Sequence, residues 1–424
     1  MTRTIARALL AALLFAGQSG SAGTQQPAAQ TPTFRSSTAL VEVDIIVKDK
    51  DGRFVSGLTA DDFEVFEEGR PQQIQHFYLV TPTPTTWAEP RSDVVLPRSP
   101  DQTDRRVFVL YFDSEHISTP ILGRIKQSAL NFLGEQFRPR DLGGVFANGA
   151  LWHGRLTSDR QELLDGVLAV TPAFDPIGSR LAQLIEFPRI ESELDALRIE
   201  SGDRRLVDAV AEQNCIREPE NCALEGGREY VVFKLERKAR GFVSEARRAA
   251  SATLETLSYL SRNLARLEGR KTVIMLSEGF FLQDARSELP QIAGQASRAG
   301  VTIYTVNVRG TLGTGGRIDP DASVARGSLS LHGDTSEAGL DLLAAQTGGL
   351  AFRHTDNFGW VLTSVASDTS TYYVLAYSPE NTTLDGKFRK IELKTKWSGL
   401  TVRARQGYIA SPLPPPKPVR GGGR

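Results

Sequence analysis

Cysteine, methionine and histidine are scarce in this chain, at 2, 2 and 5 of 424 residues. That scarcity argues against a Cys/His metal cage. Net charge is missing too: 50 basic and 50 acidic side chains cancel, so no global field draws the protein to nucleic acid or to an anionic membrane. Past the first residues, no apolar run is long enough to span a bilayer. What remains is ordinary for a soluble globular protein, 40% hydrophobic and 24% charged, with length enough for two or three domains.

The N-terminus reads as a secretory signal peptide over residues 1–23. Arg3 and Arg7 precede an apolar core from Ala8 to Ala16, and Gly20 to Gly23 supply small residues for cleavage. The mature protein is therefore expected to be periplasmic or secreted. A Gln-, Pro-, Ala- and Thr-rich linker follows over 24–36. From 37 to 82 the texture is that of strands. Val41, Val43, Ile45 and Val47 recur at a period of two, and Asp51-Gly52 and Glu68-Gly69 mark turns before runs at Phe63–Phe66 and Ile74–Val80. Residues 83–103 form a second linker.

Arg106 to Ser118 organises the rest. Val107 to Phe112 is an unbroken apolar run ending at Asp113, the pattern of a strand buried on both faces of a parallel sheet. Ligands of open α/β sheets collect where strands end at their carboxyl tips, which places Asp113 at the expected functional edge. Helical spacing over 121–137, a strand with a bend over 143–152 and an N-cap cluster at Thr157 to Asp159 continue the pattern. From 175 to 268 strand character gives way to a charged helical excursion. Phe242, Ala246, Ala249, Leu254, Leu257, Leu260, Leu264 and Leu267 share one face, and Arg247, Arg248, Arg262 and Arg266 read as its solvated side. Cys215 and Cys222, close together in an exported chain, predict a disulfide that fixes a helix-to-helix turn and contributes about 2–3 kcal/mol. Strand and helix then alternate from Thr272 to Ser367, with Gly300 and Gly348-Gly349 at the turns. Strands return over 371–411, and the tail 412–424 is expected to be disordered.

Three stretches resemble the von Willebrand factor type A-related family of secreted bacterial proteins. They are Val41 to Gln72, Gly269 to Phe280 (G-R-K-T-V-I-M-L-S-E-G-F) and Leu342 to Phe352, the last followed by Y-Y-V-L-A-Y-S-P and R-Q-G-Y. The resemblance implies a von Willebrand A-like α/β domain over 104–370, doubly wound and mostly parallel, with helices on both faces. N- and C-terminal strands are expected to join in one β-sandwich, since three strands alone are marginal. It also implies a metal-ion-dependent adhesion site, in which Asp-x-Ser-x-Ser, a threonine and a later Asp hold a divalent cation through oxygen. Here Glu115 and Ile117 stand where the serines would be, Ser277-Glu278-Gly279 replaces Thr-Asp-Gly, and one alignment puts Arg204 at the threonine.

Two readings stay open. Either Asp113, Ser277 and Glu278 still ligate Mg²⁺ or Mn²⁺, or the metal is lost and Asp113, Glu115, Ser118, Ser277 and Glu278 survive as a polar ligand rim. The expected function is non-enzymatic protein binding or adhesion through that rim, with segments 148–156, 277–287 and 309–335. A cation-dependent hydrolase on the same rim and an envelope scaffold using the helical excursion are the alternatives. No catalytic residue is assigned. His116 has no nucleophile motif beside it, and His76, His153, His332 and His354 lack ligand spacing. Gly310 to Gly316 lacks the Gly-Lys-Ser/Thr ending of a phosphate loop and reads as a mobile loop.

Overall fold

The computed structural model describes residues 40–81, 106–171, 176–223, 226–267, 269–280, 285, 288–309 and 337–412. The signal peptide, both linkers, the glycine-rich loop, His332 and the tail beyond 412 lie outside the described residues.

The protein is α/β, with one mixed, mostly parallel sheet flanked by helices and two antiparallel sheets beside it. The central sheet has the order β10-β9-β8-β5-β6-β7. β5 (Val107–Phe112) lies between β8 (Lys271–Ser277) and β6 (Leu142–Ala147), parallel to both. β9 (Val301–Asn307) and β10 (Ala351–Phe352) extend the parallel set, and β7 (Ala150–Leu151) turns back antiparallel. All six residues of β5 and all seven of β8 and of β9 are buried, as strands covered on both faces must be.

Alternate side chains of these strands feed two cores. Phe108, Leu110 and Phe112 pack with α1 (Thr119–Gln136), α2 (Arg160–Ala169) and α10 (Phe358–Asp368). Val107, Val109 and Tyr111 pack with the C-terminal half of α7 (Gly227–Leu264), α8 (Leu289–Arg298) and α9 (337–347). Asp159 caps α2 by accepting from the Gln161 N–H at 2.8 Å. Gly349 is required where α9 turns into β10: an added Cβ would sit 1.9 Å from the Ile303 carbonyl oxygen.

The helical excursion contains α3 (Pro176–Ile185), α4 (Glu193–Glu200), α5 (Arg204–Arg217), α6 (Pro219–Cys222) and α7. α7 starts well before Phe242, the first residue of the expected apolar face, and runs for 38 residues, about 57 Å at the α-helical rise. Its N-terminal half builds a separate core: Leu235, Phe242 and Val243 meet Leu184, Leu197 and Val207. Cys215 and Cys222 are joined by a disulfide between α5 and α6.

Strands from the two ends of the chain share both antiparallel sheets. One sheet has the order β13-β1-β11-β4 and the other β14-β12-β2-β3. In the first, β1 (Val41–Lys48) pairs with β11 (Tyr372–Tyr377) and β13 (Thr401–Ala404), and β4 (Ile74–Val80) pairs with β11. In the second, β2 (Phe63–Glu67) joins β3 (Arg70–Gln72) and β12 (Phe388–Thr395), which also pairs with β14 (Gly407–Ile409). Val43, Ile45, Val65, Leu375, Ile391 and Tyr408 fill one core between the two sheets. β3 and β14 had not been expected: each is three residues long, and β3 carries a proline that only an edge position tolerates.

Candidate functional site

β5 delivers Asp113 to the carboxyl edge of the sheet, but the acid is sealed there. Its exposure is 0%, so it does not stand on an open rim. The His116 Nδ1 lies 3.0 Å from Oδ2, and the Ser277 hydroxyl donates to the same oxygen at 2.8 Å. The Thr253 hydroxyl donates to Oδ1 at 2.8 Å, with the Tyr111 phenol at 3.4 Å. Burial pushes the Asp113 carboxyl up, yet the His116 charge and the hydrogen bonds from His116, Thr253 and Ser277 outweigh it and hold the group below its ordinary value.

The other rim residues diverge from this point. Ser277 is fully buried, and its Oγ also accepts from the Gly279 N–H at 3.0 Å. Glu278 is 4% exposed and turns away from Asp113: Oε1 accepts from the Ser118 N–H at 2.5 Å and Oε2 faces the Arg309 Nε at 3.6 Å. Ser118 is half-buried at the N-terminus of α1, and Glu115 is half-buried with a buried Oε2 that has no hydrogen-bond partner. The open ligand rim is therefore corrected to a closed polar cluster. The cause is the helical excursion, whose α7 places Thr253 on the acid.

Ile117, where the resemblance would put a serine, is turned into the core. It is 4% exposed and belongs to the core shared by the sheet and α1. Arg204 is not the residue at the threonine position: it lies on the outside of α5, paired with Glu236 at 3.1 Å. The hydroxyl that meets Asp113 is that of Thr253, which comes from a helix and donates to the acid.

The cation implied by the resemblance does not fit these residues. Both oxygens of Asp113 already accept hydrogen bonds, an imidazole nitrogen occupies one approach, and the Glu278 carboxylate points elsewhere. Among the described residues, no three His, Cys, Asp or Glu side chains converge to hold a metal ion. Nor do these groups compose a nucleophilic relay. The Asp113 carboxylate and the Thr253 hydroxyl (3.2 Å) meet the same His116 nitrogen, whereas a Ser-His-Asp relay needs one on each.

Around the cluster, the Ser114 Oγ accepts from the Asn148 N–H at 2.8 Å, tying segment 148–156 to the β5 tip. His153 pairs with Glu162 at 3.0 Å, and His354 lies 3.6 Å from Glu337. Most of the loops at 281–287 and 310–335 lies outside the described residues.

The opposite, amino edge of the sheet holds a cleft against β1, β4 and β11, of about 800 Å³ including open solvent. Arg270 and Arg405 line it with Glu42, Asp44, Tyr78 and Tyr372. The Arg270 guanidinium lies 4.6 Å from the Tyr372 ring centroid and 3.4 Å from Asp44.

No family model matches the chain, and no curated protein matches it. Among solved structures, an aerotolerance-related membrane protein from Bacteroides fragilis NCTC 9343, with multiple mutations to serines, is similar at 12% identity and a TM-score of 0.31. The match covers 62% of this chain and 98% of that one. Among the described residues, no helix is long and apolar enough to cross a membrane.

Proposed function

We propose that the protein is an exported, non-enzymatic interaction module of von Willebrand A-like architecture, the A-like domain (104–370) being inserted between strands of 37–82 and 371–411. The sealed state of Asp113 carries this reading. Among the described residues, both oxygens of Asp113 are taken up by hydrogen bonds and none of its surface is exposed, which favours a structural over a catalytic or cation-holding role for this acid. The disulfide suits an oxidising compartment.

Recognition then falls to the outer face of the helical excursion, as in an envelope scaffold, and not to the rim. Tyr230 and Phe233 stand one turn apart on α7, 44% and 55% exposed, in a stretch of the helix that carries Lys234 and Arg237. Exposed aromatics and arginine are the residues enriched at protein contact surfaces. Pull-down from envelope extracts of the source cells, comparing wild type, the Tyr230→Ser/Phe233→Ser double variant and Asp113→Asn, tests the reading. Partner recovery is expected to fall only in the double variant. Loss confined to Asp113→Asn would return the contact to the rim, and a turnover abolished by that change would return the protein to the enzymes.

A further inference from the structure

The outer face of α7 carries an unbalanced charge in a protein whose 50 basic and 50 acidic side chains cancel. At about 100° per residue, Tyr230, Phe233, Arg237, Arg240, Gly241 and Arg248 fall within one arc of roughly 100°. All six are exposed. Between Tyr230 and Thr253 the acids are Glu236 and Glu245, half-buried on opposite flanks of that arc. Both are engaged: Glu236 pairs with Arg204 at 3.1 Å, and Glu245 accepts from the Gln183 amide at 3.4 Å. Arg247, just off the arc, is matched by Glu200 at 3.2 Å. Among the described residues, no carboxylate is paired with Arg237, Arg240 or Arg248. Gly241 adds an independent sign. It stands inside the helix, where glycine is a poor former, yet a Cβ added to it would meet nothing within 4 Å. The packing of the chain does not require a glycine here. Its bare backbone leaves a saddle between Arg240 and Arg248, open to something from outside.

We infer that this stripe receives an acidic segment of a partner protein. Its carboxylates meet Arg237, Arg240 and Arg248, its backbone crosses the saddle at Gly241, and an apolar residue at one end packs on Tyr230 and Phe233. Guanidinium groups match carboxylates through paired hydrogen bonds, which suits arginine to this task. Tyr230 to Arg248 spans about 27 Å at the α-helical rise, the length of about eight extended residues. A lipid surface fits less well. Two aromatics at one end make a small apolar face, and a single row of cations flanked by acids matches a line, not a plane. The inference rests on the outer face of α7 being the contact surface, as proposed above, and names the chemistry of what it holds.

Fluorescence anisotropy on the intact chain tests it, with a labelled peptide of leucines followed by glutamates as the probe. Wild type is expected to bind it, more weakly as salt is added. Arg237→Gln/Arg240→Gln is expected to loosen binding about tenfold. Arg262→Gln/Arg266→Gln removes the same charge from the same end-to-end segment beyond Glu255, and is expected to stay within about twofold of wild type. Gly241→Gln is expected to raise the urea midpoint while it loosens binding, so that lost binding there is not lost folding. No binding by wild type, equal losses in the two arginine variants, wild-type affinity in Gly241→Gln, or tighter binding to phosphatidylglycerol vesicles than to the peptide would each overturn the inference. The pull-down separates it from the reading it rests on. Partner recovery indifferent to Tyr230→Ser/Phe233→Ser sinks the proposed contact surface; recovery that needs those aromatics but ignores Arg237→Gln/Arg240→Gln sinks the acidic partner alone.

Discussion

The two edges of the central sheet reverse the usual expectation for an open α/β fold. Its carboxyl edge, where ligands ordinarily collect, is closed over an acid whose exposure is 0%. Its amino edge keeps a narrow cleft, with Arg270 and Arg405 among its walls. Strand order is the same for both edges, so strand order does not decide which is open. What covers each one does. At the carboxyl edge, an inserted helix contributes a hydroxyl that completes the shell of Asp113. At the amino edge, the neighbour is a β-sandwich whose strands meet the sheet without filling the space beside Tyr78 and Tyr372.

The sharpest way to break this contrast is Asp113→Ala. It strands the imidazole and the two hydroxyls of a buried network, and a loss of about 3–5 kcal/mol is expected in urea unfolding, as for breaking a buried pair. The same acid gives a pH signature. Its folded-state affinity for protons is depressed, so its contribution is complete above the unfolded value of 3.8 and disappears as pH falls through the lower folded one. The acid slope of stability should therefore flatten in Asp113→Asn.

Placing at this position the serine that the resemblance would put there, Ile117→Ser, is expected to cost about 2–4 kcal/mol by thermal or urea unfolding, because the position is core. Calorimetric titration of that variant with Mn²⁺ should show no binding heat; a clear binding isotherm would mean that sequence alone had disabled the site. The smallest effect belongs to the open edge. Arg270→Lys keeps the charge but forfeits the Tyr372 stacking and the bond to the Tyr304 hydroxyl, for about 1 kcal/mol by urea unfolding. A loss as large as that of Asp113→Ala would show the two edges to be equally sealed.

Much of the scaffold was legible because its signals are local. The period of two in Val41 to Val47 gave β1, and the unbroken run from Val107 gave β5 to the residue. Asp-Gly and Glu-Gly turns separated the strands of the N-terminal module, whose sharing of sheets with the C-terminal strands follows from each set needing a face to bury. The start of α7 was missed because its buried face before Phe242 is carried only by Val231, Leu235 and Ala239, set among Arg228, Glu229, Lys234, Glu236, Arg237, Lys238 and Arg240.

The site was legible only at its ends. Asp113 and Ser277 were identified as neighbours, and they do meet. Thr253 stands 140 residues from the acid it holds, on a helix whose pattern marks it as an ordinary position. Burial of Asp113 is a property of the chain that packs over it, which no spacing in 113–118 encodes. One signal was present and misread. An isoleucine in place of the second motif serine marks a tip turned inward, and Ile117 is indeed core.

One helix serves two interiors, and this has a mechanical consequence. α7 is a rod of 38 residues, anchored at its far end by Leu254, Leu257 and Leu260 under the sheet and at its near end by Leu235 and Phe242 within the excursion. A pull on the near end is transmitted along that rod to the hydroxyl grasping Asp113, with Gly241 the place where it yields most cheaply. The excursion and the sheet are thus geared to each other, so strain applied to one is felt by the other.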